Sequence, residues 1–87
     1  MQEKHIIIGV HVTERLQRVR QVQDIMSEYG CNIKTRLGLH EVGENFCSPN
    51  GLLVLEMVGS DETIDKFVEK MTAIEGIEIK KMVFEHS

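Results

Sequence analysis

The sequence predicts one α+β domain of βαββαβ order, a four-stranded antiparallel sheet with two helices on one face. Three observations carry this. Lys4 to His11 (KHIIIGVH) and Gly51 to Gly59 (GLLVLEMVG) are short and apolar on both faces, the pattern of strands in the middle of a sheet. Two other runs alternate polar with apolar residues, as strands nearer an edge do. Between them lie two stretches whose apolar residues recur every three or four positions, the period of a helix resting on a core. The chain has 87 residues, room for a single core, so residues 1–87 are read as one domain.

The elements follow in order. Lys4 to His11 is the first strand. Thr13 is placed to cap a helix in which Leu16, Val19, Val22, Ile25, Met26 and Tyr29 form the apolar stripe, with Gly30 as the left-handed residue that ends it. Cys31 to His40 is the second strand, with Ile33, Thr35, Leu37 and Leu39 alternating against Asn32, Lys34, Arg36 and Gly38. Glu41 to Asn50 (EVGENFCSPN) gathers turn formers into a loop too long for a tight hairpin. Gly51 to Gly59 is the third strand. Ser60 then caps a second helix, with Asp61 and Glu62 favourable to its dipole and Ile64, Phe67, Val68, Met71 and Ile74 on one stripe. Gly76 stands where a left-handed residue is wanted. Ile77 to Glu85 (IEIKKMVFE) is the fourth strand, in which Lys80-Lys81 breaks the alternation and marks a bulge or a change of role.

This order with strands one and three in the centre is the split βαβ, ferredoxin-like arrangement. The helix-covered face is expected to take Ile6, Ile8, Val10, Ile33, Leu37, Leu39, Leu53, Leu55, Met57, Ile77 and Ile79. Ile7, Leu52, Val54 and Val58 are left on the other side as a contiguous apolar patch, the signature of a contact surface. Homo-oligomerisation as a dimer or tetramer through that patch is the expectation. The alternative is a monomer in which Lys34, Arg36 and Glu56 drape their stems over it.

Composition narrows the function. A formal charge of −4 disfavours nucleic-acid binding, which rests on Lys and Arg neutralising phosphates. The apolar run Ile6 to Ile8 is far shorter than a membrane span or a signal-peptide core, so a cytoplasmic location is expected, with no membrane partner. Cys31 and Cys47 form no CxxC pair and are expected as reduced thiols, Cys31 as a small buried hydrophobe. The sequence holds no Ser/His/Asp order, HExxH, GxGxxG or P-loop lysine motif, so an enzyme is not expected. His11, His40 and Cys47 fall at strand ends and in the loop, where imidazole and thiolate could hold a transition metal such as Ni²⁺, Cu²⁺ or Zn²⁺. No other cofactor is expected. Lys34 and Arg36 alternate on one strand face and could pair with an effector's carboxylate or phosphate.

Length, element order and two motifs, Arg36-Leu37-Gly38-Leu39 before the loop and Ser48-Pro49-Asn50-Gly51-Leu52-Leu53 after it, resemble a small family of stand-alone ACT-like proteins regarded as regulators of the iron-only hydrogenase system. The resemblance implies a ferredoxin-like fold akin to ACT domains and to the C-terminal domain of nickel-responsive repressors. It also implies sheet-mediated dimers or tetramers, and a transcriptional-regulator role exercised by binding a small effector or a regulatory protein. Arg36, Gly38 and Asn50, which stand in these motifs, are taken as the candidate effector contacts. The resemblance leaves a nickel-type metal sensor using His40 and Cys47 as the alternative.

Overall fold

The computed structural model describes residues 4–13, 15–39 and 51–85. Its elements are β1 (Lys4–Val12), α1 (Arg15–Glu28), a 3₁₀ turn (Gly30–Asn32), β2 (Ile33–Leu39), β3 (Gly51–Met57), α2 (Asp61–Thr72) and β4 (Ile77–Glu85). The strands run antiparallel in the order β2-β3-β1-β4. The expected βαββαβ architecture, with the two most apolar strands central, is the one observed. The expected loop over 41–50 lies outside the described residues.

Period-two alternation on β1 sends Ile6, Ile8, Val10 and Val12 into the core, and β3 adds Leu55 and Met57. The helices close over them with Val22, Met26 and Tyr29 from α1 and Ile64, Phe67 and Met71 from α2. Phe67 is fully buried and meets the Tyr29 ring edge-on at 5.3 Å, the offset that the aromatic quadrupole favours. Lys70 of α2 stands 5.4 Å from the centre of that ring and also pairs with Glu28 of α1 at 2.6 Å. The bond to Glu28 holds the Lys70 ammonium above its ordinary pKa.

α2 begins as its sequence predicts. Ser60 Oγ accepts the Thr63 N–H at 3.1 Å, and Asp61 and Glu62 occupy the first turn. Gly76 adopts φ +88° in the turn into β4, and a Cβ there would lie 2.9 Å from Thr13 Oγ1. Thr13 donates both its N–H (2.9 Å) and its hydroxyl (2.8 Å) to the Gly76 carbonyl, which ties the end of β1 to the start of β4.

Expectations for the end of α1, for Cys31 and for the strands are corrected. Gly30 is not a left-handed C′ residue: α1 ends at Glu28 and the chain tightens into the 3₁₀ turn, with the Asn32 N–H donating to Tyr29 O at 2.8 Å. Cys31, on the outside of that turn, is exposed rather than buried. At Lys80-Lys81, where a bulge or a change of role was expected, there is no bulge: the nine residues of β4 pair with β1 in unbroken register from Lys4↔Glu85 to Val12↔Ile77, and the bulge lies in β2. In β2, Ile33 pairs with Met57 and Thr35 with Glu56, so Lys34 is the extra residue. One inserted residue reverses every later side chain. Leu37, expected in the core, therefore pairs with Val54 on the open side and is 53% exposed. Arg36, expected beside Lys34, instead pairs with Leu55 on the helix side.

Candidate functional site

Because both helices lie on one side, the other face of the sheet is bare among the described residues, and strand register sets what it presents. Reading across β2, β3, β1 and β4, one row is Thr35, Glu56, Ile7 and Met82, and the next is Leu37, Val54, Gly9 and Lys80. Below them Leu52, His11 and Glu78 align, and His5 stands beside Phe84 at the other end. Leu37, Met82 and Phe84 are more than half exposed, Leu52 is 39% exposed, and Ile7 and Val54 are half-buried between them. Val58, just past the end of β3, is also exposed, and its N–H donates to Asn32 O at 2.7 Å. Gly9 places no side chain at the middle of the face and leaves it open there.

Charged groups frame these residues in two clusters. At one end His5 Nδ1 meets Glu56 Oε2 at 2.9 Å, and Lys34 Nζ lies 4.0 Å from the same oxygen. The hydrogen bond from His5 holds the Glu56 carboxyl below its ordinary value, against the partial burial of a side chain only 19% exposed; Lys34 adds to the effect. At the other end His11 Nδ1 lies 3.8 Å from Glu78 Oε1, and Lys80 reaches the other oxygen of Glu78 at 3.7 Å. Each carboxylate thus has a lysine and an imidazole beside it, so the face is close to neutral around an apolar centre.

The expected interface residues Ile7, Leu52 and Val54 thus lie together on this face. Sequence reasoning missed Leu37, Met82 and Phe84. For Met82 and Phe84 parity alone was signal enough: with β4 unbroken, Ile77 and Ile79 point to the helices, so even-numbered positions must point away. Nothing in IKTRLGL betrays the bulge that moves Leu37.

Of the expected effector contacts, Arg36 is exposed on the helix side of β2, and Gly38 pairs with Leu53, whose Cδ2 would lie 3.4 Å from an added Cβ. Asn50 lies outside the described residues. So do His40 and Cys47 of the expected metal cluster, while His11 is engaged with Glu78. Among the described residues no three His, Cys, Asp or Glu side chains converge as metal ligands, and no helix is long and apolar enough to cross a membrane. A cavity of about 240 Å³ opens on the helix side, floored by Ile6, Ile64 and Val83 and walled by the pairs Lys4–Asp61 (2.9 Å) and Lys81–Asp65 (3.4 Å), with Glu85 beside them. The Asp61 carboxylate raises the Lys4 pKa.

No protein-family model and no curated protein matches the chain. Among solved structures it is similar to the uncharacterized protein TM1266 from Thermotoga maritima, with 24% identity, TM-score 0.79, and coverage of 94% of this chain and 99% of that one. The fold is ferredoxin-like. It is also similar to CPII, a nitrogen regulatory PII-like protein from Thiomonas intermedia K12 bound to ADP, AMP and bicarbonate, with 9% identity, TM-score 0.61, and coverage of 100% and 97%. A formyltetrahydrofolate deformylase from Pseudomonas putida KT2440 shares the fold over 90% of this chain but only 28% of its own, with 13% identity and TM-score 0.56. The arrangement thus occurs both as a whole small protein and as part of an enzyme.

Proposed function

We propose that this chain is a non-catalytic regulatory module that assembles with itself through the open face of its sheet and responds to a small effector or a partner protein. The observation that carries this reading is the open face itself. Leu37, Met82 and Phe84 stand more than half exposed around Ile7, Val54 and Leu52, and a contiguous apolar patch with a polar frame is the mark of a contact surface. Similarity in fold to CPII, a regulatory protein bound to ADP, AMP and bicarbonate, supports a small effector and makes adenine nucleotides the first to try. The motifs around Arg36 and Asn50 support a role in the iron-only hydrogenase system.

Light scattering at micromolar concentration tests the assembly. The wild-type chain is expected as a dimer or tetramer, and Val54→Asp, which sets a carboxylate in the middle of the face, is expected to reduce its mass. A wild-type monomer whose mass Val54→Asp leaves unchanged refutes the reading. Calorimetry with ADP and AMP tests the effector, with saturable heat expected for at least one of the two.

A further inference from the structure

Alternate residues of β1 and β4 share the helix side of the sheet, and the register lines them up in pairs: Lys4 beside Glu85, Ile6 beside Val83 and Ile8 beside Lys81. α2 starts over this end of the sheet, and Asp61, Ile64 and Asp65, spaced i, i+3, i+4, meet the strands from one stripe of the helix. Further along, Ile8 and Phe67 close the core completely. Here the closure is incomplete. Val83 is on the covered side yet 41% exposed, and the space between α2 and the strands is the cavity of about 240 Å³.

The charges around this cavity do not balance. Its lining holds two ammonium groups, Lys4 and Lys81, against three carboxylates, Asp61, Asp65 and Glu85, which leaves one negative charge uncompensated. Lys4 spans both oxygens of Asp61, at 3.0 and 2.9 Å. Lys81 reaches Asp65 at Oδ1, at 3.4 Å, so Asp65 Oδ2 and the Glu85 carboxylate are placed to accept from a ligand. Exposed ion pairs contribute little stability, and fastening α2 to the sheet would need neither Glu85 nor an apolar floor.

We propose that the cavity binds a small organic cation, an ammonium group on a short aliphatic body. The ammonium donates to Glu85 and Asp65, and the body lies against Ile6, Ile64 and Val83, where it leaves water. At about 30 Å³ for each water-sized group, the volume takes about eight such groups, enough for a chain of about six carbons with its nitrogen. Charge sets the selectivity. A single positive charge completes the balance, whereas a carboxylate or a nucleotide phosphate adds to the excess of negative charge. The site is therefore distinct from any nucleotide site, and it rests neither on a nucleotide effector nor on assembly through the open face.

The probe is n-hexylamine, with 1-hexanol and hexanoate as neutral and anionic controls that carry the same body. In a titration followed by amide NMR near neutral pH, hexylamine is expected to saturate, with the largest shifts at Asp65, Val83 and Glu85. Both controls are expected to bind about tenfold more weakly or less, the worth of one charge-assisted hydrogen bond. Glu85→Gln, at an exposed position that the fold does not depend on, is expected to weaken hexylamine about tenfold. Val83→Lys, which sets a competing ammonium on the cavity floor, is expected to abolish saturation. Hexanol binding as tightly as hexylamine would overturn the proposal, as would hexylamine binding that Glu85→Gln does not weaken or that fails to saturate in the wild type. Shifts largest at Ile7 and Val54 would also overturn it, since the amine would then lie on the open face.

Discussion

The two faces of the sheet are made from alternate residues of the same strands, yet they meet opposite fates. Ile8, Val10 and Leu55 on the helix side are fully buried, while Leu37, Met82 and Phe84 on the other side are more than half exposed. Side chains of similar hydrophobicity serve on both. What separates them is the cover: Phe67 and Met71 of α2 and Met26 of α1 close one face, and no described element closes the other. Apolar area stabilises the fold only where it leaves water within the chain. On the open face the same chemistry remains available for a contact between molecules.

Three substitutions probe that difference, and the largest effect is expected on the covered face. Phe67→Ala removes a fully buried ring that also supports Tyr29, and is expected to lower the urea-unfolding free energy by about 3–5 kcal/mol. Phe84→Ser on the open face removes a ring of the same size. At concentrations low enough to keep the chain monomeric its expected cost is only about 0.5 kcal/mol or less, with its main effect appearing as weaker association at higher concentration. Should the two substitutions cost the same in the dilute chain, the contrast between the faces collapses.

The smallest effect concerns the charged frame. His5 keeps the Glu56 carboxyl below its ordinary value of 4.5, so the ionised side chain contributes stability above that value and loses it as pH falls through the lowered folded-state pKa. Wild type should therefore melt above Glu56→Gln near about pH 7, and the gap should close toward about pH 3. A gap that widened on acidification would mean that the His5–Glu56 contact is not stabilising.

Legibility from sequence followed the range of the forces involved. Ser60, with Asp61 and Glu62 after it, caps α2 through bonds within one helical turn, and the i, i+3, i+4 spacing of Ile64, Phe67 and Val68 sets which side of the helix faces inward; both were readable. The apolar runs of β1 and β3 gave away their central places, because only strands flanked on both edges and partly covered gain from being apolar throughout. The open-face residues Ile7, Leu52 and Val54 could be placed for the same reason. Gly30 was misread because α1 had a second way to end, a 3₁₀ turn that needs no left-handed residue and carries Cys31 into solvent.

By itself, then, the sequence determined the element order, the sheet order and the capped second helix, all of which follow from local periodicity and turn chemistry. Only the tertiary structure decided which strand carries the bulge, and so which way Leu37 and Arg36 point. A bulge is a register mismatch between two strands: IKTRLGL alternates cleanly, and the extra residue at Lys34 exists only relative to Met57 and Glu56 across the ladder. The same holds for β4, where continuous pairing to β1 carries the strand through Lys80-Lys81 without a break and brings Met82 and Phe84 beside Ile7 and His5.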